Sequence, residues 1–127
     1  MITTVLFDMD GLLLDTELYW GDSMLKIAAK HSIPITREHF KATTGLRIFE
    51  VTEYWQRNFP WQGASSEQVA NEVLDDIIAV SIAKGNIMPG VIKLLQQLRA
   101  AHYKIGLASS SSMRMIQPLI QHFELSP

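Results

Sequence analysis

Cysteine is absent from the 127-residue chain, which excludes disulfide scaffolds, thiolate metal sites and cysteine nucleophiles together. The same absence suits a reducing cytoplasm. No apolar run reaches the ~18 residues needed to cross a bilayer. The opening stretch from Met1 to Asp10 has no basic segment and carries two acids, unlike a targeting leader. The expectation is a cytoplasmic protein with no membrane partner. An excess of positive charge is missing as well. Eleven Lys+Arg against thirteen Asp+Glu leave a net charge of −2, so there is no basic footprint for nucleic acid. Charged residues make up 19% of the chain and hydrophobic ones 47%, a balance that builds a packed core and argues against disorder. The length fits one ordinary domain. No internal repeat is present, and the four serines at 109–112 are the sole hint of low complexity.

Residues 3–8 are short, apolar and β-prone, and Gly11 follows closely; they read as a buried strand. From Thr16 the pattern turns helical, with Thr16 as cap and Leu18, Met24, Leu25 and Ala28 near a 3.6-residue repeat, ending at Pro34. A short helix is expected after Thr36, broken at Thr43-Thr44-Gly45. Ile48, Val51, Trp55 and Phe59 then form an amphipathic stripe. Ser65 with Gln68 is a capping-box signature opening a helix with Val69, Val73, Ile77 and Val80 on one face, stopped by Gly85. Val91, Leu94, Leu95 and Leu98 mark another helix. Residues 104–109 read as a second buried strand, and Pro118 should kink or shorten the helix that follows. Two buried strands separated by helices imply an α/β protein with a parallel sheet, into which a helical bundle at roughly 17–85 is inserted.

Asp8-Met9-Asp10-Gly11 is the sharpest chemical feature. On an extended segment two carboxylates at i and i+2 share a face, ~6–7 Å apart along the chain. They sit where the first strand ends, the usual ligand position in an open α/β sheet. Such a pair can divide labour: one acid stays ionised as nucleophile or metal ligand, the other carries a proton to give. Oxygen ligands of this kind favour Mg²⁺. A solvated turn closing the strand explains Asp-X-Asp-Gly equally well. Ser109 adds context, because a serine hydroxyl and free N–H groups at a helix start suit a phosphate. Helix capping also accounts for serines here, and for Ser110–Ser112 it is the better reading. His31, His39, His102 and His122 share no metal-ligand spacing. Trp55 and Trp61 are expected to pack the helical insertion.

The stretch from Val5 to Glu17, with Asp8, Asp10, Gly11, Asp15 and Thr16 in their places, resembles the first motif of the haloacid dehalogenase superfamily. Gly106 to Ser111 resembles its second motif. The insertion point is similar to that of the helical-cap branch, which includes β-phosphoglucomutase and small sugar phosphatases. Gly45-Leu46-Arg47-Ile48 and the Tyr54 to Trp61 segment look most like the hexitol (2-deoxyglucose-6-phosphate) phosphatases. The resemblance implies a Rossmann-like parallel sheet core, incomplete in this chain, at 1–16 and 86–127, with an inserted four-helix cap at 17–85. It implies a Mg²⁺-dependent phosphatase of small phosphorylated sugars. Asp8 would attack phosphorus and become an aspartyl-phosphate, and Asp10 would protonate the leaving oxygen and then activate water. Mg²⁺ would be held by Asp8 and Asp10, the latter through its backbone carbonyl. Ser109 and Ser110 would meet the phosphate, Gly45 and Arg47 would inspect the sugar, and Thr16 and Glu17 would lie at the hinge. Arg47 as a solvated helix-start residue is an equal alternative. β-Phosphoglucomutase-like transfer, or a non-catalytic remnant that binds without turnover, are the competing functions.

The family's third motif, a lysine, and its fourth, an acidic pair, would both fall beyond Pro127. In the family the first strand is central, so in this chain one of its edges should be bare. The expectation is a missing C-terminal half, or another chain covering that edge.

Overall fold

In the computed structural model, which describes residues 2–109 and 111–125, Thr4–Phe7 (β1) and Lys104–Leu107 (β2) form a two-stranded parallel sheet. Thr4 stands opposite Lys104 and Phe7 opposite Leu107. Alternation splits the strands into two faces. Val5 and Phe7 pack against the core, whereas Leu6 is 64% exposed. Leu6 lies across the strand at Gly106, where a Cβ would approach Leu6 Cδ2 to 2.8 Å. Glycine at 106 is therefore the residue that lets Leu6 lie flat. Among the described residues β1 pairs with β2 alone, so its other edge carries no strand. This is the α/β architecture read from the sequence, with its incomplete sheet.

Helices fill the interval between the strands. α1 (Glu17–Lys30), a 3₁₀ segment (Arg37–Thr43), α2 (Ile48–Asn58) and α3 (Ser66–Lys84) form the insertion, and α4 (Val91–Ala100) leads back into β2. α5 (Met113–His122) follows it. The insertion thus has three α-helices and one 3₁₀ turn. Its core is the predicted stripe: Ile48, Val51 and Trp55 of α2 are buried together with Val69, Val73 and Ile77 of α3. Ser65 opens α3 by accepting from the Gln68 N–H at 3.1 Å. The outer seam between α1 and α3 is polar. Asp76 takes Ser23 Oγ and Lys26 Nζ, each at 2.7 Å, and Glu72 takes Lys30 Nζ at 2.7 Å.

Four local expectations need correction. α1 stops at Lys30 rather than at Pro34, because Ser32 adopts φ 57° and Ile33 turns back to donate to the Ala28 carbonyl at 2.8 Å. Leu18 is not a core residue but 71% exposed; α1 buries Ser23, Ile27 and Ala28 instead. Leu94 of α4 is likewise 42% exposed, while Val91 and Leu95 are buried. Pro118 does not shorten α5, which runs through it to His122. A proline costs the helix one N–H donor, and the burial of Met115, Ile116 and Leu119 on one face outweighs it.

The chain leaves the sheet layer and returns to it at a single crossing. Met88 N–H donates to the Leu13 carbonyl at 2.8 Å and Asp15 N–H to the Asn86 carbonyl at 3.0 Å. Asn86 N–H donates in turn to Asp15 Oδ1 at 2.7 Å. No helix is long and apolar enough to cross a membrane among the described residues.

Candidate active site

β1 ends at Phe7, the in–out alternation of side chains runs on through Asp10, and a tight turn follows. Met9 is wholly buried, and its carbonyl accepts from the Leu13 and Leu14 N–H groups, both at 3.1 Å. Gly11, at φ 78°, closes the turn by donating to the Leu14 carbonyl at 2.7 Å. A side chain in that left-handed conformation would be strained. The i, i+2 pair shares a face as its spacing implies: Asp8 and Asp10 point to one cleft while Met9 between them is buried on the other side. Asp8 is exposed, with Oδ1 accepting from Met9 N–H at 2.8 Å. Asp10 is half-buried.

Both acids line a cleft of about 820 Å³ between the sheet end and the helical insertion. Ser109, Gly45 and Arg47 line the same cleft. Ser109 lies two residues beyond β2, half-buried, and its Oγ accepts from Ser111 N–H at 3.1 Å. Gly45 turns at φ 83°, and Arg47 stands exposed just before α2, in no ion pair among the described residues. Both readings of Arg47 are therefore present in one residue: it starts a helix and it faces the cleft. Arg37, the other arginine of the cleft, is bonded to Asp22. Ser110 lies outside the described residues.

Four features of the site were not legible in the sequence. Thr16, read as a cap for α1, makes no capping bond; it is fully buried and its hydroxyl donates a hydrogen bond to Asp10 Oδ1. Ser111 donates to the other oxygen, Asp10 Oδ2, at 2.6 Å. Ser112 occupies the cap position of α5, but its hydroxyl caps nothing and has no partner among the described residues. Glu17 is a third acid in the cleft. Desolvation of its carboxyl there, then the negative charges of Asp10 and Asp8, hold it above its ordinary value. Bonds that span a hundred residues leave no local trace, although Ser109-X-Ser111 repeats the i, i+2 spacing of Asp8-X-Asp10.

The donor set is oxygen throughout, which suits a hard divalent cation in kind. The Asp10 carbonyl accepts no backbone bond among the described residues, and one Asp8 oxygen is committed to Met9. Among the described residues there is no cluster of three or more His, Cys, Asp or Glu that could hold a metal by itself. Mg²⁺ commonly retains waters and takes one or two carboxylates plus a substrate phosphate, and these donors fit that pattern.

The family model for haloacid dehalogenase-like hydrolases matches residues 2–127. The chain is 32% identical over 125 residues to hexitol phosphatase B of Escherichia coli (strain K12), covering 98% of this chain and 56% of that protein. It is 28% identical over 113 residues to β-phosphoglucomutase of Bacillus subtilis (strain 168), covering 84% of this chain and 50% of that one. The crystal structure of CbbY from Rhodobacter sphaeroides in complex with phosphate superposes with a TM-score of 0.81 at 21% identity, covering 100% of this chain and 59% of that one. The chain spans about half the length of the curated relatives it matches. On the family match and the shared fold, the chain belongs to the haloacid dehalogenase-like hydrolases.

Proposed function

We propose that this chain carries the nucleophile and the substrate-facing wall of a phosphomonoester hydrolase for small phosphorylated sugars or sugar alcohols, working in the cytoplasm. The observation that carries the reading is the convergence of Asp8, Asp10, Ser109, Gly45 and Arg47 on one cleft at the end of two parallel strands. In this reading residues 1–16 and 86–127 are the α/β core and 17–85 the cap that covers the substrate.

Asp8 attacks phosphorus. The bond to the sugar oxygen breaks with its electron pair on that oxygen, which takes a proton from Asp10. The product left on the protein is an aspartyl-phosphate at Asp8. Asp10, now ionised, removes a proton from water; the water oxygen bonds phosphorus and the Asp8 oxygen departs with its electron pair. Asp8 turns outward into the cleft because Met9 is anchored in the core beneath it. Ser109 orients the phosphoryl oxygens, and Gly45 and Arg47 meet the far end of the substrate. Mg²⁺, held by Asp8 and the Asp10 carbonyl, would neutralise phosphate charge as the anionic nucleophile approaches.

The test is release of inorganic phosphate from sorbitol 6-phosphate by the purified chain with Mg²⁺, against Asp8→Asn. An amide is no nucleophile, so the variant should lose turnover entirely. Equal turnover by the two proteins overturns the mechanism. A phosphomutase reading has the Bacillus subtilis relative in its favour. Conversion between isomeric sugar phosphates without phosphate release identifies it.

A further inference from the structure

Asp10 is held from two sides. Thr16, buried at the entry to α1, donates to Oδ1. Ser111, on the loop between β2 and α5, donates to Oδ2 at 2.6 Å across a separation of 101 residues. Ser111 is itself positioned, since its N–H is bound to Ser109 Oγ at 3.1 Å. Its side chain takes no part in capping, because the residue at the start of α5 is Ser112. Ser111 therefore contributes a hydroxyl to the cleft with one described partner, the carboxylate assigned to proton transfer.

A hydroxyl both donates and accepts. Toward Asp10 that of Ser111 donates, with the residue's own backbone N–H fixed on Ser109 Oγ. We propose that Ser111 is a positioning residue for the proton-transfer steps, its hydrogen bond to Oδ2 keeping the Asp10 carboxyl aimed at the leaving oxygen. This rests on the assignment of Asp10 as acid and base. Without Ser111, the side-chain anchor that remains among the described residues is Thr16, on one oxygen, and the carboxyl is free to swing.

Leaving groups separate this role from a structural one. p-Nitrophenolate departs without a proton, whereas the alkoxide of sorbitol 6-phosphate needs one. The quantity to measure is kcat/KM, which reports steps up to the first irreversible one and so isolates phosphoryl transfer to Asp8. General-acid assistance contributes roughly 10²–10⁴-fold when fully in place, so Ser111→Ala should cost the alkyl ester about ten- to a hundredfold more than the aryl ester. Ser111→Thr, which keeps the hydroxyl, should restore the wild-type ratio. Ser111→Cys, nearly isosteric with a weak donor, should fall between and serves if the alanine variant does not fold. Equal losses on both esters, or none on either, overturn the proposal. Equal turnover of both esters by the wild type and Asp8→Asn overturns the phosphatase reading itself, and this inference falls with it.

Discussion

Lys30, in the last turn of α1, pairs with Glu72, near the start of α3, at 2.7 Å. His31 takes the other oxygen of the same carboxylate. One acid thus ties the end of the first helix of the insertion to its longest helix.

These bonds give Glu72 a pH signature. The Lys30 hydrogen bond, then that of His31, hold its carboxyl below the ordinary value of 4.5. A carboxyl depressed in the folded state stabilises the fold above the unfolded value and loses that contribution as pH falls through the folded one. The urea midpoint of the wild type should therefore exceed that of Glu72→Gln at neutral pH. The gap should close as the solution is acidified below 4.5. A gap that persists in acid would assign the difference to packing.

Arg47 offers a guanidinium with no ion-pair partner among the described residues, whereas Arg37 is engaged by Asp22. If Arg47 meets the substrate, Arg47→Ala should remove a charge-assisted hydrogen bond worth about 1.5–3 kcal/mol, a loss of roughly ten- to a hundredfold in kcat/KM for preferred esters. The ranking of sugar phosphates should also change. Kinetics across a panel of sugar and sugar-alcohol phosphates decides this, and an unaltered ranking removes Arg47 from substrate selection.

Trp55 is completely buried, yet its indole N–H has no partner among the described residues. An unpaired buried donor lowers the value of the residue that carries it. Trp55→Ala should cost about 3–5 kcal/mol, the usual range for emptying an aromatic site. Trp55→Phe removes the stranded donor along with part of the ring, and should cost under about half as much. Chemical denaturation of both variants measures the difference. Equal penalties would mean that the N–H is satisfied in solution.

The core of the insertion was the most legible part of the chain, because Ile48, Val51 and Trp55 recur at helical spacing and end up against Val69, Val73 and Ile77. Periodicity fixes which residues share a face but not what that face meets. Leu18 lies on an apolar pattern and nevertheless borders the open cleft. Likewise Asp8 and Asp10 were visible as a pair on one face, which the burial of Met9 between them bears out, while the bonds that hold Asp10 in place were not. Thr16 and Ser111 were read as helix caps on local grounds. Their hydroxyls instead reach Asp10, a choice decided by tertiary approach that no window of neighbouring residues contains.

The crossing at Leu13–Asp15 and Asn86–Met88 makes the intervening seventy-odd residues a cassette. Its two ends are bonded to each other before any of its helices is considered, so the closure entropy of that long loop is met at its mouth and grows only slowly with its length. Changes in α2 and the 3₁₀ segment leave that mouth intact, whereas α3 also packs against α5 beyond the Ser109 loop. In the proposed reading, selectivity and chemistry fall on different parts of one chain, so a new substrate would be acquired by changing the one while the other stands still.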